Sequence, residues 1–392
     1  MDAPYEPPTD DWQARKPDEL SMDADGLAEA ARYHRDHESR WRPDFLTRDG
    51  RYIGVADEPE APDDVLGPVR PRGGPNGLIL RHGVLLAEWG DTLRADMTFS
   101  VAKSYLSVLA GLAVARGLIR CVDDPVRDYA LDDGFASAQN RDITWRHLLQ
   151  QTSEWQGTLW DKPDTIDHNR DVGQSELGAA DKGTLRPLRP PGTLWEYNDV
   201  RVNRLSLSLL QVFRRPLPDV LRDGVMAPIG ASATWEWVPY RNAWVTIPDA
   251  RLGRRGPSPA TACGSQGGGV RMPSVPGGSH WGGGLWMSTR DHARFGLLVH
   301  RNGRWGGDQI IPASWVEEMR RPCPINPGYG LLWWLNTGRR QLPSAPESSY
   351  AARGAGSNVI WIDPDHDLVA VVRWIDKPHM AGFVERVLAS VR

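Results

Sequence analysis

The sequence predicts a mixed α+β protein in which helices flank an antiparallel sheet and a mostly helical domain is inserted. A hairpin pattern stands early in the chain, a long helical section follows it, and alternating strand patterns with one more helix close the chain. From this order we expect a sheet domain built from residues 21–99 and 265–392 and a mostly helical domain over 100–264. A disordered extension is expected at 1–20, which is acidic and rich in proline.

The first elements are one helix and one hairpin. Residues 21–39 carry apolar residues at helical spacing behind several Ser and Asp residues that suit an N-cap. In NGLILRHGVLLAEWG, residues 76–90, two β-rich runs flank the turn signal His82–Gly83. This pattern predicts a β-hairpin.

The remaining elements follow from apolar periodicity. Strands are predicted at 329–336 and 357–375, where DPDHD makes a tight turn within the second segment. Further helices are predicted over 98–119, 142–153, 203–215, 289–303, 314–321 and 381–391.

Composition and charge exclude several classes of function. The formal net charge of −4 leaves no basic footprint for nucleic acid. The longest mainly apolar run, 105–115, is well short of the roughly 20 residues of a membrane span, and the N-terminus lacks a signal-peptide pattern. The three cysteines are far apart and lack metal or redox spacing, which indicates free thiols. We therefore expect a cytoplasmic protein without a membrane or nucleic-acid partner.

The helix TFSVAKSYLSVLAGLAVARGLI, residues 98–119, carries one of the chain's five lysines, Lys103, a single turn after Ser100. A strongly hydrated ammonium is unusual beside a long apolar run, so it either reaches out to water or serves a pocket. Residues three apart share one helix face, with Cβ atoms about 5–6 Å apart, so the amine can reach the serine hydroxyl. Because a serine is a weak nucleophile without a base, this pair suits nucleophilic catalysis. At the helix start, the Ser100 N–H would also be a free donor for an oxyanion.

Other catalytic patterns are missing. The sequence contains no G-x-S-x-G elbow, which disfavours an α/β-hydrolase. None of its glycine-rich stretches has the Lys–Ser/Thr of a P-loop, which disfavours nucleotide binding.

The nucleophile segment resembles that of the penicillin-recognising serine hydrolases. These comprise class C β-lactamases, low-molecular-weight penicillin-binding proteins, the esterases of that fold and 6-aminohexanoate-dimer hydrolase. The resemblance spans most of residues 76–390 and implies a β-lactamase/penicillin-binding-protein-like fold. It continues in order through DDPVRDYA, ITWRHLLQQTS, PGTLWEYNDVRVNRL, HWGGGLWMSTRDHARFG, YGLLWWLN and GSNVIWIDPDHDLVAVV.

The family's second motif, Tyr-x-Asn, corresponds to Tyr197-Asn198-Asp199. The resemblance implies that Tyr197 is a second proton shuttle beside Lys103. Asp199 departs from the family asparagine, and a carboxylate there accepts hydrogen bonds only and would pair with Lys103. A lysine kept charged in this way would act by electrostatics, which makes Tyr197 the stronger base candidate.

The family's third motif, Lys-Thr-Gly or His-Thr-Gly, falls on Ala352-Arg353-Gly354, so its first cation is absent. The resemblance implies that the Ala355 N–H is the second oxyanion donor, opposite that of Ser100. Adjacent strand residues point to opposite faces, so Arg353 is expected to need a bend in the strand to reach the missing cation's position. His280, in GGSHWGGG, either lines the cleft or fixes backbone groups of its loop.

These features together predict a serine hydrolase that cleaves a small ester or amide through an acyl-enzyme, without a metal or cofactor. The nearest alternative within the family is a β-lactamase or a D-alanyl carboxypeptidase or D-aminopeptidase. An alternative of another class is a catalytically silent binding or regulatory protein that keeps the fold.

Overall fold

A computed structural model of the chain describes residues 5–9, 12–56, 58, 65–172, 180–248 and 269–392. Within these residues Cys121 is an exposed free thiol and Cys323 a buried one, as predicted, while Cys263 lies outside them.

Helices flank the sheet and fill much of the middle of the chain. Two of them, α3 and α5, reach 15 residues, and no helix in the described part of the chain has the length and apolar character to cross a bilayer. Short 3-10 turns cover Pro17–Leu20, Val126–Asp128, Asp164–Asp167, Thr337–Arg339 and Lys377–His379. The α-helices described are α1 Ala24–Asp36, α2 Ile53–Ala56, α3 Val101–Ala115, α4 Trp145–Leu149, α5 Asp199–Phe213, α6 Leu217–Leu221, α7 Thr289–His300, α8 Ala313–Met319 and α9 Met380–Ala389.

The strands lie mainly at the two ends of the chain. Those described are β1 Asn76–Arg81, β2 Val84–Trp89, β3 Asp96–Met97, β4 Thr158–Leu159, β5 Lys162–Pro163, β6 Glu236–Val238, β7 Trp244–Pro248, β8 Gly269–Pro273, β9 Gly284–Met287, β10 Arg304–Trp305, β11 Asp308–Gln309, β12 Trp334–Leu335, β13 Tyr350–Gly354, β14 Asn358–Asp363 and β15 Leu368–Arg373.

The main sheet of the described structure has six strands in the order β12-β13-β14-β15-β1-β2, and every neighbouring pair is antiparallel. Two of these strands precede α3 in the chain, and the other four come from the C-terminal part of the chain. The predicted hairpin forms β1 and β2, and its turn residues His82 and Gly83 both have positive φ, 52° and 80°. An antiparallel sheet built from both ends of the chain, with helices against it, confirms the predicted fold class.

Each face of this sheet packs against a pair of helices. Helices α1 and α9 contact each other and cover one face, while α3 and α7 pack against the other. Alternation along β14 separates the two layers: Val359 and Trp361 belong to the α1/α9 core, whereas Ile360 and Ile362 belong to the core around α3. Helix α3, which begins after Ser100, is therefore held between the sheet and the helical section.

The prediction of a disordered extension at 1–20 is wrong for residues 12–20. Trp12 is 4% exposed and its Nε1 donates to the Gly83 carbonyl at 2.9 Å. Ala14 pairs with Leu85 at the sheet edge. One large aromatic side chain buries enough apolar area to fix a segment whose overall composition favours disorder.

Two predicted elements are shorter than their patterns. The strand predicted at 329–336 is reduced to β12, because Leu332 has φ 60° and its amide donates to the Leu149 carbonyl. The helix predicted at 142–153 is reduced to α4, and Gln151 has φ 61°. In both cases a left-handed residue redirects the chain toward tertiary contacts that periodicity does not encode.

Candidate active site

The nucleophile candidate Ser100 stands at the N-cap of α3. The residue before it, Phe99, is buried and has φ 50°, a conformation that is unusual for a bulky side chain. Phe99 packs edge-on against Trp41 and Phe45, which hold this kink in place. The kink turns the start of the helix, and with it Ser100, toward the cleft described below.

Lys103 does not reach out to water. Its side chain is 2% exposed, and Nζ donates a hydrogen bond to Ser100 Oγ at 2.7 Å. The same nitrogen forms an ion pair with Asp199 Oδ1 at 2.6 Å. The predicted contacts of Lys103 with Ser100 and with Asp199 are thus both present.

Asp199 is held from two sides. It is the first residue of α5, where a carboxylate is favoured by the helix dipole, and Arg170 Nη1 lies 2.8 Å from its second oxygen, Oδ2. Its backbone amide donates to Asp167 Oδ2 at 2.8 Å. Burial by itself raises the pKa of Asp199, but Arg170 and then Lys103 lower the pKa by more than burial raises it. The pKa of this carboxyl therefore lies well below its usual range.

Tyr197 lies beside both cations. Lys103 Nζ is 4.7 Å from the centroid of the tyrosine ring and Arg170 Cζ is 5.3 Å from it. Trp334 stacks on the same ring, with centroids 5.7 Å apart and an interplanar angle of 28°. The phenol is 3% exposed and therefore fixed in place by its neighbours.

A second layer of charge lies behind Asp199. Lys182 Nζ contacts Glu58 and lies 3.3 Å from Asp167 Oδ1, while His280 Nε2 lies 2.7 Å from Glu58 Oε1. The ligand atoms of Glu58, Asp167 and His280 are close enough to share one cation, and the Lys182 ammonium lies among them. We call Lys103, Asp199, Arg170, Asp167, Lys182, Glu58 and His280 together the charge cluster.

His280 performs both roles that the sequence left open. It lines the cleft, and its Nδ1 bonds to the Gly54 carbonyl at 2.7 Å. Burial alone lowers the pKa of His280, but Asp167 and Glu58 outweigh burial, so the pKa is raised. Protonation of His280 adds one positive charge to a cluster in which three Lys and Arg cations face three carboxylates.

The strand of the third motif, β13, runs close to the nucleophile. A Cβ on Gly354 would come within 2.2 Å of the Thr98 carbonyl and 3.2 Å of the Ser100 amide nitrogen, so only glycine fits this approach. The N–H groups of Ser100 and Ala355 have no hydrogen-bond acceptor among the described residues. Both residues line the cleft.

Arg353 lines the cleft but does not take the place of the missing cation, which is occupied by the buried Ala352. Ala352 points into the core and is fully buried, so its neighbour Arg353 faces the opposite side of the strand. The guanidinium bonds to the Gln341 side chain and lies 5.6 Å from the centroid of the Trp334 ring. The cleft therefore has a cation in its wall, one residue later than in the family pattern.

The cleft itself has a volume of about 900 Å³. It brings together every site residue that the sequence predicted except Lys103, which lies behind Ser100 in the wall. Sequence reasoning missed other residues, which have no periodic signal and come from the irregular segments between helices. Those that line the cleft and belong to the charge cluster are Glu58, Arg170 and Lys182.

The fold places the chain among β-lactamase-like proteins. Residues 94–383 match the family described as Beta-lactamase, and since this is more than half of the 392 residues, the chain belongs to that family. A relative from Alkalihalophilus pseudofirmus, described as an uncharacterized protein, is 31% identical over 118 residues. That match spans 28% of this chain and 34% of the relative, so the chain spans about a third of the relative's length.

Solved structures support the same fold. EstCE1, a hydrolase with promiscuous acyltransferase activity, aligns with a TM-score of 0.57 at 16% identity over 94% of this chain and 99% of its own. A β-lactamase from Mycobacterium bovis aligns at 0.52 and 18% identity over 80% and 94% of the two chains. A penicillin-binding protein homologue from Caulobacter crescentus aligns at 0.53 and 15% identity over 81% and 92%. At these identities the alignments establish the fold alone, and they confirm the predicted resemblance.

Proposed function

We propose that this chain is a serine hydrolase that cleaves an ester or amide through an acyl-enzyme on Ser100. The observation that carries the proposal is the hydrogen bond of 2.7 Å between Ser100 Oγ and the buried Lys103 Nζ, beside a cleft of about 900 Å³. A serine paired with a buried cation, with a tyrosine next to that cation, has the parts that nucleophilic catalysis needs. Membership in a family whose members are generally serine hydrolases supports the same reaction class.

In the proposed reaction the phenolate form of Tyr197 takes the Ser100 proton while Oγ forms a bond to the substrate's carbonyl carbon. Lys103, paired with Asp199, acts as a fixed positive charge beside the phenol and the serine. Tyr197 then gives its proton to the leaving alcohol or amine as the carbon–oxygen or carbon–nitrogen bond breaks. Water attacks the acyl-enzyme in the second half, and the same residues move its proton.

The oxyanion of the tetrahedral intermediate is proposed to lie between the backbone N–H groups of Ser100 and Ala355. The close approach of β13 to the nucleophile, which Gly354 allows, supports this pairing. Backbone donors fixed at a helix start and a strand end need no rearrangement when charge develops, which is why such donors are effective.

Two features favour an unstrained ester or small amide over a β-lactam. Ala352 is buried where the family carries a cation, and Asp199 offers a substrate carbonyl only repulsion where the family's asparagine can donate. Arg353 in the cleft wall is the feature that favours the β-lactamase alternative, because a guanidinium binds carboxylates well. The ratio of kcat/KM for a p-nitrophenyl ester to that for a chromogenic cephalosporin decides between the two.

Labelling with a fluorophosphonate tests the proposal against a catalytically silent protein. Mass spectrometry of the digested adduct is expected to place the label on Ser100 in the wild type, and Ser100→Ala is expected to remain unlabelled. Ser107→Ala is a matched control, because Ser107 lies on the same helix but is buried away from the cleft. Labelling elsewhere, or none in folded wild-type protein, would contradict the proposal.

A further inference from the structure

We propose that Arg170 is a positioning residue of this active site, which fixes Asp199 from the side opposite Lys103 and supplies a second positive charge beside Tyr197. The inference rests on the proposed serine hydrolase function and adds to it a residue outside the three motifs. It assigns a role to a loop arginine that sequence reasoning did not single out.

The contacts of Arg170 all point into the site. Its side chain is 21% exposed and follows the 3-10 turn Asp164–Asp167. Nη1 lies 2.8 Å from Asp199 Oδ2 and 3.5 Å from Asp167 Oδ1, and Cζ lies 5.3 Å from the Tyr197 ring centroid. A guanidinium that meets two carboxylates and one aromatic ring is held in a single orientation.

A second cation is needed because Asp199 compensates the first. Lys103 and Asp199 are 2.6 Å apart, so the carboxylate offsets part of the positive potential that Lys103 exerts on the phenol. The position that carries a cation in the family's third motif is occupied here by the buried Ala352. With Arg170 present, two cations and one carboxylate lie next to Tyr197, and the surplus positive charge stabilises the phenolate that accepts the Ser100 proton.

Arg170 also fixes the orientation of the Asp199 carboxylate between the two cations. One oxygen faces Lys103 and the other faces Arg170, so Lys103 Nζ stays within 2.7 Å of Ser100 Oγ. Burial raises the pKa of Asp199, and Arg170 is the largest influence that opposes burial, ahead of Lys103. Without the guanidinium, Asp199 would lie beside Asp167 with only Lys103 as a direct partner. Lys103 would then be drawn away from the serine.

The test compares Arg170→Gln and Arg170→Lys with a matched control. Arg146→Gln removes an arginine that is 24% exposed, pairs with Asp123 and Glu318, and lies outside the cleft. For each variant kcat and KM for a p-nitrophenyl ester are measured from about pH 5 to about pH 10, together with the rate of Ser100 labelling. Circular dichroism and thermal unfolding show that the variants are folded.

In Arg170→Gln we expect the acid limb of the kcat/KM profile to move about one unit to higher pH, about a tenfold loss at neutral pH. The loss should lie in kcat, labelling should slow in parallel and recover at alkaline pH, and Arg170→Lys should retain an acid limb near that of the wild type. Arg146→Gln should leave the profile unchanged. If Arg170→Gln fails to fold, the Arg170→Lys profile alone decides, and a shift as large as one unit there would overturn the inference.

Two other outcomes would also overturn it. An unchanged acid limb with normal Ser100 labelling would mean that Arg170 is only a structural ion-pair partner. A rise in KM with an unchanged kcat profile would make it a substrate-binding residue instead. Neither result affects the proposed function, which fails separately if Ser100→Ala keeps its turnover.

Discussion

Lys103 and Asp199 form a buried ion pair, with Nζ 2.6 Å from Oδ1 and side chains 2% and 5% exposed. A buried pair of this kind is stable only when further partners satisfy both ions. Ser100 Oγ is the further partner of the lysine, and Arg170 is that of the aspartate. The pair therefore connects Ser100 to the rest of the charge cluster.

Replacing Ser100 with alanine is expected to lower kcat by about 10⁴-fold or more, because the covalent step is lost. The change removes one small hydroxyl group and should leave the unfolding temperature close to that of the wild type. Steady-state turnover of a p-nitrophenyl ester measures the effect, with active-site titration to exclude wild-type contamination. Turnover comparable with that of the wild type would refute the proposed nucleophile.

The part of the site that the sequence predicts is the part encoded locally. Ser100 and Lys103 are three residues apart on one helix, so their contact follows from helical geometry alone. The sequence also predicts that Asp199 pairs with Lys103, because Asp199 occupies the asparagine position of the family's second motif and the resemblance implies that this motif lies beside the lysine. Arg170 and Lys182 escaped prediction because they belong to irregular segments, where no periodicity indicates which way a side chain points.

The fold likewise has parts that local patterns predict and parts that they do not. The hairpin at β1 and β2 and the strands β14 and β15 follow from alternation and turn residues, whereas the N-terminal segment is fixed by distant contacts such as those of Trp12 with Gly83 and of Ala14 with Leu85. Similarly, Arg353 faces the cleft because Ala352 fits the core, a choice that depends on the neighbouring α3 rather than on the strand's own pattern. Contacts between distant segments decide such cases.

Tyr197 and Lys103 are expected to act as one proton-handling unit. Lys103→Ala and Tyr197→Phe should each lower kcat/KM by about 100-fold or more, and the double variant should cost little more than the worse single one. The physical reason is that each residue is useful only while the other is in place. A double-mutant cycle with an ester substrate measures the coupling. Tyr329→Phe serves as the control, since Tyr329 is a buried neighbour of Tyr197 that does not line the cleft. Single costs that simply add would show that the two residues act independently.

Glu154 is expected to stabilise the fold in a pH-dependent way. Its buried carboxylate pairs with Arg186 and Arg201, and although burial raises its pKa, these partners lower the pKa to about 2. Glu154→Gln removes a carboxylate that both arginines contact, although Glu196 still pairs with each of them, and should lower the free energy of unfolding at neutral pH by about 3 kcal/mol. Because the folded pKa is depressed, this contribution is fully present above the unfolded value of about 4.3 and is lost as the pH falls toward 2.

Urea unfolding of the wild type and Glu154→Gln at a series of pH values measures this difference. The gap between the two proteins should be largest near neutral pH and should narrow below about pH 4. Glu29→Gln is the control, because Glu29 forms an exposed pair with Arg32 and its loss should leave stability nearly unchanged at every pH. A gap that stays constant down to the lowest pH would show that Glu154 acts through packing rather than through its charge.

The protein is expected to prefer a short-chain p-nitrophenyl ester over a chromogenic cephalosporin in kcat/KM. Asp199 has its two oxygens held by Lys103 and Arg170 and offers no donor to the acyl-side carbonyl, while the cation position of the third motif is the buried Ala352. Arg353 is the opposing feature, but it lies over Trp334 and bonds to Gln341, so a substrate carboxylate would have to compete for it. Asp199→Asn restores a donor at this position and is expected to raise the cephalosporin-to-ester ratio even if both rates fall. A wild-type cephalosporin value equal to the ester's or above it would refute the preference and favour the β-lactamase alternative, with Arg353 as its carboxylate site.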